Sequence, residues 1–401
     1  MRGIGFWLVF LGLGLLPGTV FGELGVEVDF PGGSGVVSGI DQGARVIRVD
    51  PTLHEGKGWR CWWYFKLTGM EPGKAVRVDV GEAPWATPDR AAYRLEGEVA
   101  WRHTERGVRE GKRIVYTVAL PEGAGGRAIW MAWGPPFLPA DAAALVERVA
   151  VESKAAEVFE LCVTREGRAT PGVRVAAKGG AAKRPFVWVQ ARQHAWESGS
   201  SWVAKGFIEW LVSDDRRAVA LRERAEVVVV PIMDIDNVYR GAGGKNQAPQ
   251  DHNRDWSEAP HWNAVAAAQA RIRAAEAEGR MALFVDLHNP GANSKFPFFY
   301  VSPESELSGS GRERFDAFHT AAKAEIRGPL RFIGQMTVSG PKYDPKNWRK
   351  MSMNWVVANC GEGVVATTLE TAWNTAASTS SGYETVGRQL GLAVELFLRE
   401  E

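Results

Sequence analysis

Two patterns of apolar and polar positions divide the chain. Over residues 23–150, short runs at 45–49, 75–80 and 113–118 alternate polar and apolar side chains with a period near two. That alternation predicts strands with one face buried and one face wet. Gly and Pro clusters such as Pro31-Gly32-Gly33 and Pro72-Gly73 punctuate the runs. Short strands at this spacing predict a sandwich. The rings of Trp59, Trp62, Trp63, Tyr64 and Phe65 suit the core of such a sandwich, where large aromatics commonly sit. A sugar-binding platform is the other use of the same rings.

From residue 151 the pattern changes. Apolar runs at 186–190, 227–232, 281–287 and 364–369 read as buried strands, and 199–212, 263–278, 312–326 and 383–399 read as helices. Buried strands alternating with helices predict an α/β domain. The expected architecture is therefore an α/β catalytic domain over 151–401, with a mixed, mostly parallel sheet and flanking helices. A smaller all-β sandwich over 23–150 precedes it.

The first 22 residues follow neither pattern. Arg2 is followed by an apolar run over 4–16, too short for a comfortable membrane span, and Pro17 breaks it. This predicts an export signal cut near Gly22, and a secreted or periplasmic protein without stable membrane insertion after cleavage.

Composition narrows the partners. The 48 basic and 47 acidic residues leave a formal net charge of +1, so no bulk field argues for nucleic acid. Cys61, Cys162 and Cys360 are too few and too scattered for a disulfide framework. None forms a C-x-x-C pair, so a thiolate metal site is not expected.

The reactive residues fall at strand ends. His194 follows the strand ending near 190, Asp234 and Asp236 follow the strand ending at 232, and His288 and Glu370 close the next two strands. In open α/β sheets, sites gather at the carboxyl ends of strands. His194 and Glu197 are three residues apart, close enough to reach one ion from a single turn. Zinc accepts imidazole nitrogen and carboxylate oxygen, and a catalytic zinc takes three protein ligands. His288 is the best candidate for the third.

Further segments then join in order. His194-Ala-Trp-Glu197 is followed by Asp234-Ile-Asp-Asn-Val238, Asp251-His-Asn-Arg254, the strand-end His288 and Leu369-Glu-Thr371. This order resembles the zinc carboxypeptidase family, and within it the cytosolic-carboxypeptidase-like branch. The resemblance covers residue 151 to the C-terminus, and the β-rich segment, through 62–69, resembles the sandwich that precedes the catalytic domain in that branch.

The resemblance implies one zinc per chain, held by His194, Glu197 and His288, and a peptide substrate with a free C-terminal carboxylate. Glu370 would be the general base on a zinc-bound water. Asn253 and Arg254 would grip the substrate carboxylate, Arg240 would stabilise the oxyanion, and Asp251 would orient His194. Tyr343 is the nearest candidate for the family's mobile tyrosine. The chain departs from the family at Ala195 and Trp196, where Pro-Gly is usual, and at His252, where leucine is usual.

Two alternatives use the same residues. One is a zinc amidohydrolase acting on a cell-wall peptide or an N-acyl amino acid. The other is a non-catalytic binding protein on the same scaffold. Lys245, Lys295, Lys342, Arg349 and Lys350 are available to a substrate pocket, and the sequence sets neither its preference nor the oligomeric state.

Overall fold

The computed structural model describes residues 22–399, apart from 82, 84–86, 125–127 and 180–183. The predicted export signal, except Gly22, lies outside the described residues. No helix among them is long and apolar enough to cross a membrane.

The β-rich segment forms two five-stranded sheets. One orders Gly25–Glu27, Tyr64–Thr68, Ile129–Ala132, Ala92–Leu95 and Arg102–His103; the other orders Val36–Asp41, Val46–Asp50, Val76–Val80, Arg113–Val118 and Val108–Glu110. Alternation selects the inward residues, as the period-two pattern requires. Ile47, Val49, Val76 and Val78 from one sheet meet Phe65, Leu67, Ile129 and Met131 from the other in a shared core. Trp62, Trp63, Tyr64 and Phe65 are buried there, which supports their reading as core.

One part of this segment is not β. Residues Pro139–Glu152 form a helix. Its Ala142, Leu145, Val146 and Val149 recur at helical spacing. They pack into the core of the larger sheet rather than that of the sandwich. The β reading of 23–150 is corrected here: the stripe at 142–149 has a period of 3.6, and its burial partners belong to the larger sheet and its helices.

The larger sheet has eight strands. Their order is Ala156–Val163, Ala169–Val175, Glu226–Val230, Phe186–Ala191, Met281–His288, Val365–Glu370, Phe298–Val301 and Met336–Val338. The four central strands run parallel, and the hairpin Ala156–Val163 with Ala169–Val175 joins antiparallel at one side. The sheet is mixed and mostly parallel at its centre, as expected. Every residue of the four central strands is buried, because helices cover both faces. Val187, Val189, Val227 and Val229 face one helix layer, and Trp188, Val228 and Val230 face the other.

On the first face, helices Ser198–Val212 and Ser380–Arg399 approach closely. A Cβ on Gly206 would stand 2.1 Å from the Glu384 carbonyl oxygen, and one on Gly387 would stand 1.9 Å from that of Val203. Glycine is what allows the two backbones to touch. The tightness matters to the site, because Ser198–Val212 begins immediately after Glu197.

Candidate active site

The four parallel strands all end at one edge, and the chain turns there to present polar side chains. After Phe186–Ala191, Arg192 takes a positive φ of 67°, and its side chain folds back into the interior. Arg192 Nε donates to the Ala195 carbonyl at 2.7 Å, and Nη1 donates to the Phe137 carbonyl at 3.2 Å. A buried guanidinium thus ties down the segment that carries His194 and Glu197.

His194, Glu197 and His288 are buried, with one donor atom from each lying within 4.8 Å of the others. His194 Nδ1 is 2.8 Å from Glu197 Oε1, and His288 Nδ1 is 2.7 Å from Glu197 Oε2. Both imidazoles therefore turn Nδ1 inward. Each Nε2 meets a second carboxylate: Asp251 Oδ1 at 3.5 Å from His194, and Asp286 Oδ2 at 3.0 Å from His288. Outer carboxylates of this kind fix the ring and raise its basicity as a ligand.

The electrostatics agree with the geometry. Burial works to raise the Glu197 carboxyl, but His194 and His288 outweigh it and hold it at about 2. Burial works to lower the His288 imidazole, yet Asp286 and Glu197 hold it well above its ordinary value. A cage of carboxylates that concentrates positive charge on its imidazoles is suited to a dication. Two imidazoles and a carboxylate are a zinc donor set, so the residues fit the metal that the sequence implied.

Glu370 stands beside this set. It pairs in register with His288 on the adjacent parallel strand. It is buried, and its Oε2 has no hydrogen-bond partner among the described residues. Burial pushes its carboxyl up to about 8. A buried carboxyl with an unused oxygen next to a metal-type donor set is placed to exchange protons.

A cavity of about 730 Å³ opens over these residues. Asn253, Arg254 and Tyr343 line it. Asn253 Oδ1 accepts from the Ser352 N–H at 3.0 Å, and Arg254 Nε donates to Asp344 Oδ2 at 3.1 Å. Tyr343 is half exposed, its ring centroid 5.2 Å from that of Tyr300. Asp251 sits behind His194 and accepts from the Asn246 N–H at 3.0 Å.

Arg240 is the exception. It ends the short helix Ile235–Arg240, pairs with Glu166, and does not line the cavity. Gly241 follows in the left-handed conformation, with φ at 74°; the chain turns there and leaves Arg240 outside. The oxyanion role expected of Arg240 is corrected on this placement. The cation beside the donor set is Lys245, whose Nζ lies 3.3 Å from His194 Nε2 and 3.8 Å from Asp251 Oδ2. Of the other basic residues raised by the sequence, Lys295 lines the cavity, whereas Lys342, Arg349 and Lys350 do not.

Sequence reasoning missed Asp286, Tyr300 and Arg192. Asp286 had a legible signal, a lone carboxylate inside the apolar strand Met281–His288. Such a charge is costly unless partnered. Arg192 and Tyr300 had none: the inward fold of Arg192 rests on its positive φ and on the distant Phe137 carbonyl, and the Tyr300 ring meets Tyr343 in the cavity lining.

Known proteins place this geometry. Residues 143–307 match the zinc carboxypeptidase family model. Human Cytosolic carboxypeptidase 1 is 25% identical over 237 residues, 49% of this chain. Human Cytosolic carboxypeptidase 4 is 26% identical over 256 residues, 52% of this chain. The chain spans only 19% and 22% of the lengths of those two proteins. Among solved structures, a metallo-carboxypeptidase from Burkholderia cenocepacia superposes with a TM-score of 0.80 at 22% identity, covering 94% of this chain and 99% of that one. A metallo-carboxypeptidase from Pseudomonas aeruginosa, solved with (2-guanidinoethylmercapto)succinic acid, gives 0.77 at 21% identity over 94% and 99% of the two chains. The fold is that of the metallocarboxypeptidases. Within residues 143–307 the chain matches the zinc carboxypeptidase family, and it is similar to the cytosolic carboxypeptidases.

Proposed function

We propose that this protein is a zinc metallocarboxypeptidase that hydrolyses the C-terminal peptide bond of a peptide with a free carboxylate. The observation that carries the reading is the buried His194–Glu197–His288 set, with the unpartnered Glu370 oxygen beside it in one cavity. His194, Glu197 and His288 would hold the metal. Zinc held there supplies a Lewis acid that polarises the scissile carbonyl and lowers the pKa of water to about 7.

The chain's own residues do the rest. Arg254 pairs with the substrate carboxylate through its planar fork, and Asn253 adds an amide N–H. Glu370 takes a proton from the attacking water and returns it to the departing amine. Lys245 places positive charge where the carbonyl oxygen becomes negative, and Asp251 and Asp286 hold the two imidazoles in orientation.

For the side chain of the released residue, the proposed place is the part of the cavity wall made by Met351, Met353 and Thr368. Met351 and Met353 flank Ser352, whose N–H is bound to Asn253, and Thr368 precedes Glu370 on its strand. These residues favour an apolar C-terminal side chain, since methionine adapts its shape to apolar partners. We further propose the export signal of residues 1–22, on the apolar run after Arg2. The matched human relatives bear the word cytosolic in their names, and N-terminal sequencing of the mature protein decides the point for this chain.

The test of function is metal content and residue release together. Wild type should carry about one zinc per chain and release the last residue of a blocked peptide, but not of its C-terminal amide. Zinc-loaded protein that leaves the free peptide intact would refute the activity.

A further inference from the structure

The mechanism above leaves part of the cavity's lining unused. Trp196 stands between His194 and Glu197, Trp373 lies three residues beyond Glu370, and Trp59 comes from the β-rich segment; all three line the cavity. Trp59 and Trp196 have ring centroids 6.2 Å apart, and Trp196 and Trp373 6.1 Å apart at 89°. Trp133 backs them, 5.0 Å from Trp196 and 4.5 Å from Trp373. These rings belong with the sandwich core, whereas Met353, next to the clamp, belongs to the core on a face of the eight-stranded sheet. Asn253 approaches His288 from the clamp side, its Nδ2 3.5 Å from Nε2.

The indole wall is held firmly. The Trp59 N–H donates to the Lys245 carbonyl at 2.9 Å, the Gly244 N–H to the Lys57 carbonyl at 2.9 Å, and the Trp196 N–H to the Gly243 carbonyl at 3.1 Å. A Cβ on Gly243 would stand 2.0 Å from the Trp59 carbonyl oxygen, and one on Gly58 would stand 2.5 Å from that of Lys245. Backbone lies directly on backbone. The β-rich loop that carries Trp59 is thereby fixed to the loop that carries Lys245.

We propose that Trp59, Trp196 and Trp373 form a subsite for the side chain immediately upstream of the scissile bond, and that it selects an aromatic residue there. The inference rests on the carboxypeptidase reading. A substrate with its carboxylate at Arg254 and its carbonyl at the His194–Glu197–His288 set has two points fixed. Its next residue leads away from the clamp, onto the indoles. Indole faces and edges pair with a further ring in edge-to-face or offset geometry, and burying that ring adds a large apolar area. The β-rich segment then acts as a wall of the active site through Trp59.

The experiment compares blocked peptides ending in Phe-Leu and Gly-Leu, each beside its C-terminal amide, with the full chain loaded with zinc. Wild type should favour Phe-Leu in kcat/KM by about ten-fold or more. Trp59→Ala should collapse that ratio toward one, and Trp59→Phe should restore part of it, chiefly through KM. A wild-type ratio near or below one overturns the subsite while leaving the carboxypeptidase reading intact, and so does a ratio that Trp59→Ala leaves unchanged. Release from neither free peptide overturns both. Should Trp59→Ala fail to fold, the wild-type ratio and Trp59→Phe decide.

Discussion

His288 and Glu370 are lateral partners, the last residues of two adjacent parallel strands, paired in register. The spacing of neighbouring strands, about 4.8 Å, sets the candidate base beside the candidate ligand. A one-residue slip of Val365–Glu370 would turn the Glu370 side chain to the other face of the sheet. The chemistry therefore depends on sheet register.

Glu370→Gln should retain zinc and lose turnover by about two to four orders of magnitude, the range of general acid–base catalysis. Metal analysis and peptide release on the same sample check this. Zinc loss in that variant would reassign Glu370 as a ligand. His288→Ala, by contrast, should lose the metal.

Arg254→Ala should act on binding. Hydrogen bonds to a charged group contribute about 1.5–3 kcal/mol, so KM for a free-carboxylate peptide should rise by about ten-fold or more. Amide peptides should be far less affected. Equal losses on both would remove Arg254 from the clamp.

Lys245 and Arg240 separate cleanly. Lys245→Met should lower kcat, because the cation next to His194 is lost. Arg240→Ala should leave turnover near wild type, because that side chain pairs with Glu166 outside the cavity. The opposite ranking would return the oxyanion role to Arg240.

Stability against pH should expose a buried pair behind the site. Burial raises the Asp234 carboxyl to about 7, and burial lowers the nearby His252 imidazole to about 4. From about pH 4 to 7 the folded state keeps an Asp234 proton that the unfolded chain releases, so this group's contribution falls as pH rises. Between about 4 and 6.5 the unfolded chain binds a His252 proton that the folded state excludes, so its contribution rises with pH. The two slopes oppose each other. Asp234→Asn should remove one and leave stability climbing across pH 4–6.5, by up to about 1.4 kcal/mol per unit. Urea unfolding at several pH values measures it, and parallel curves for variant and wild type would contradict it.

The central strands and long helices were legible because their burial patterns are local. Runs such as Val227-Val228-Val229-Val230 admit little but a buried strand, and the helix expected over 383–399 is found within Ser380–Arg399. The helix Pro139–Glu152 was hidden, since its partners lie in another part of the chain. The strands Phe298–Val301 and Met336–Val338 are too short to signal themselves.

The site divides along the same line. Residue type and place at strand ends singled out His194, Glu197, His288 and Glu370, whereas Asn253, Arg254 and Asp251 were selected through the resemblance of the motif order to the zinc carboxypeptidase family. Folding brings those named residues together: Glu197 between the two imidazoles, Asp251 behind His194, and Asn253 and Arg254 on the cavity wall. Which cation faces the site could not be read locally. Arg240 and Lys245 are five residues apart, one at a helix end and the other in the loop that follows, and the left-handed turn at Gly241 sends one out while the contact with Trp59 holds the other in. The aromatic wall likewise joins residues 59, 196 and 373. Neighbours in sequence carry local periodicity, but a wall built from three distant segments exists only once the sheets have packed.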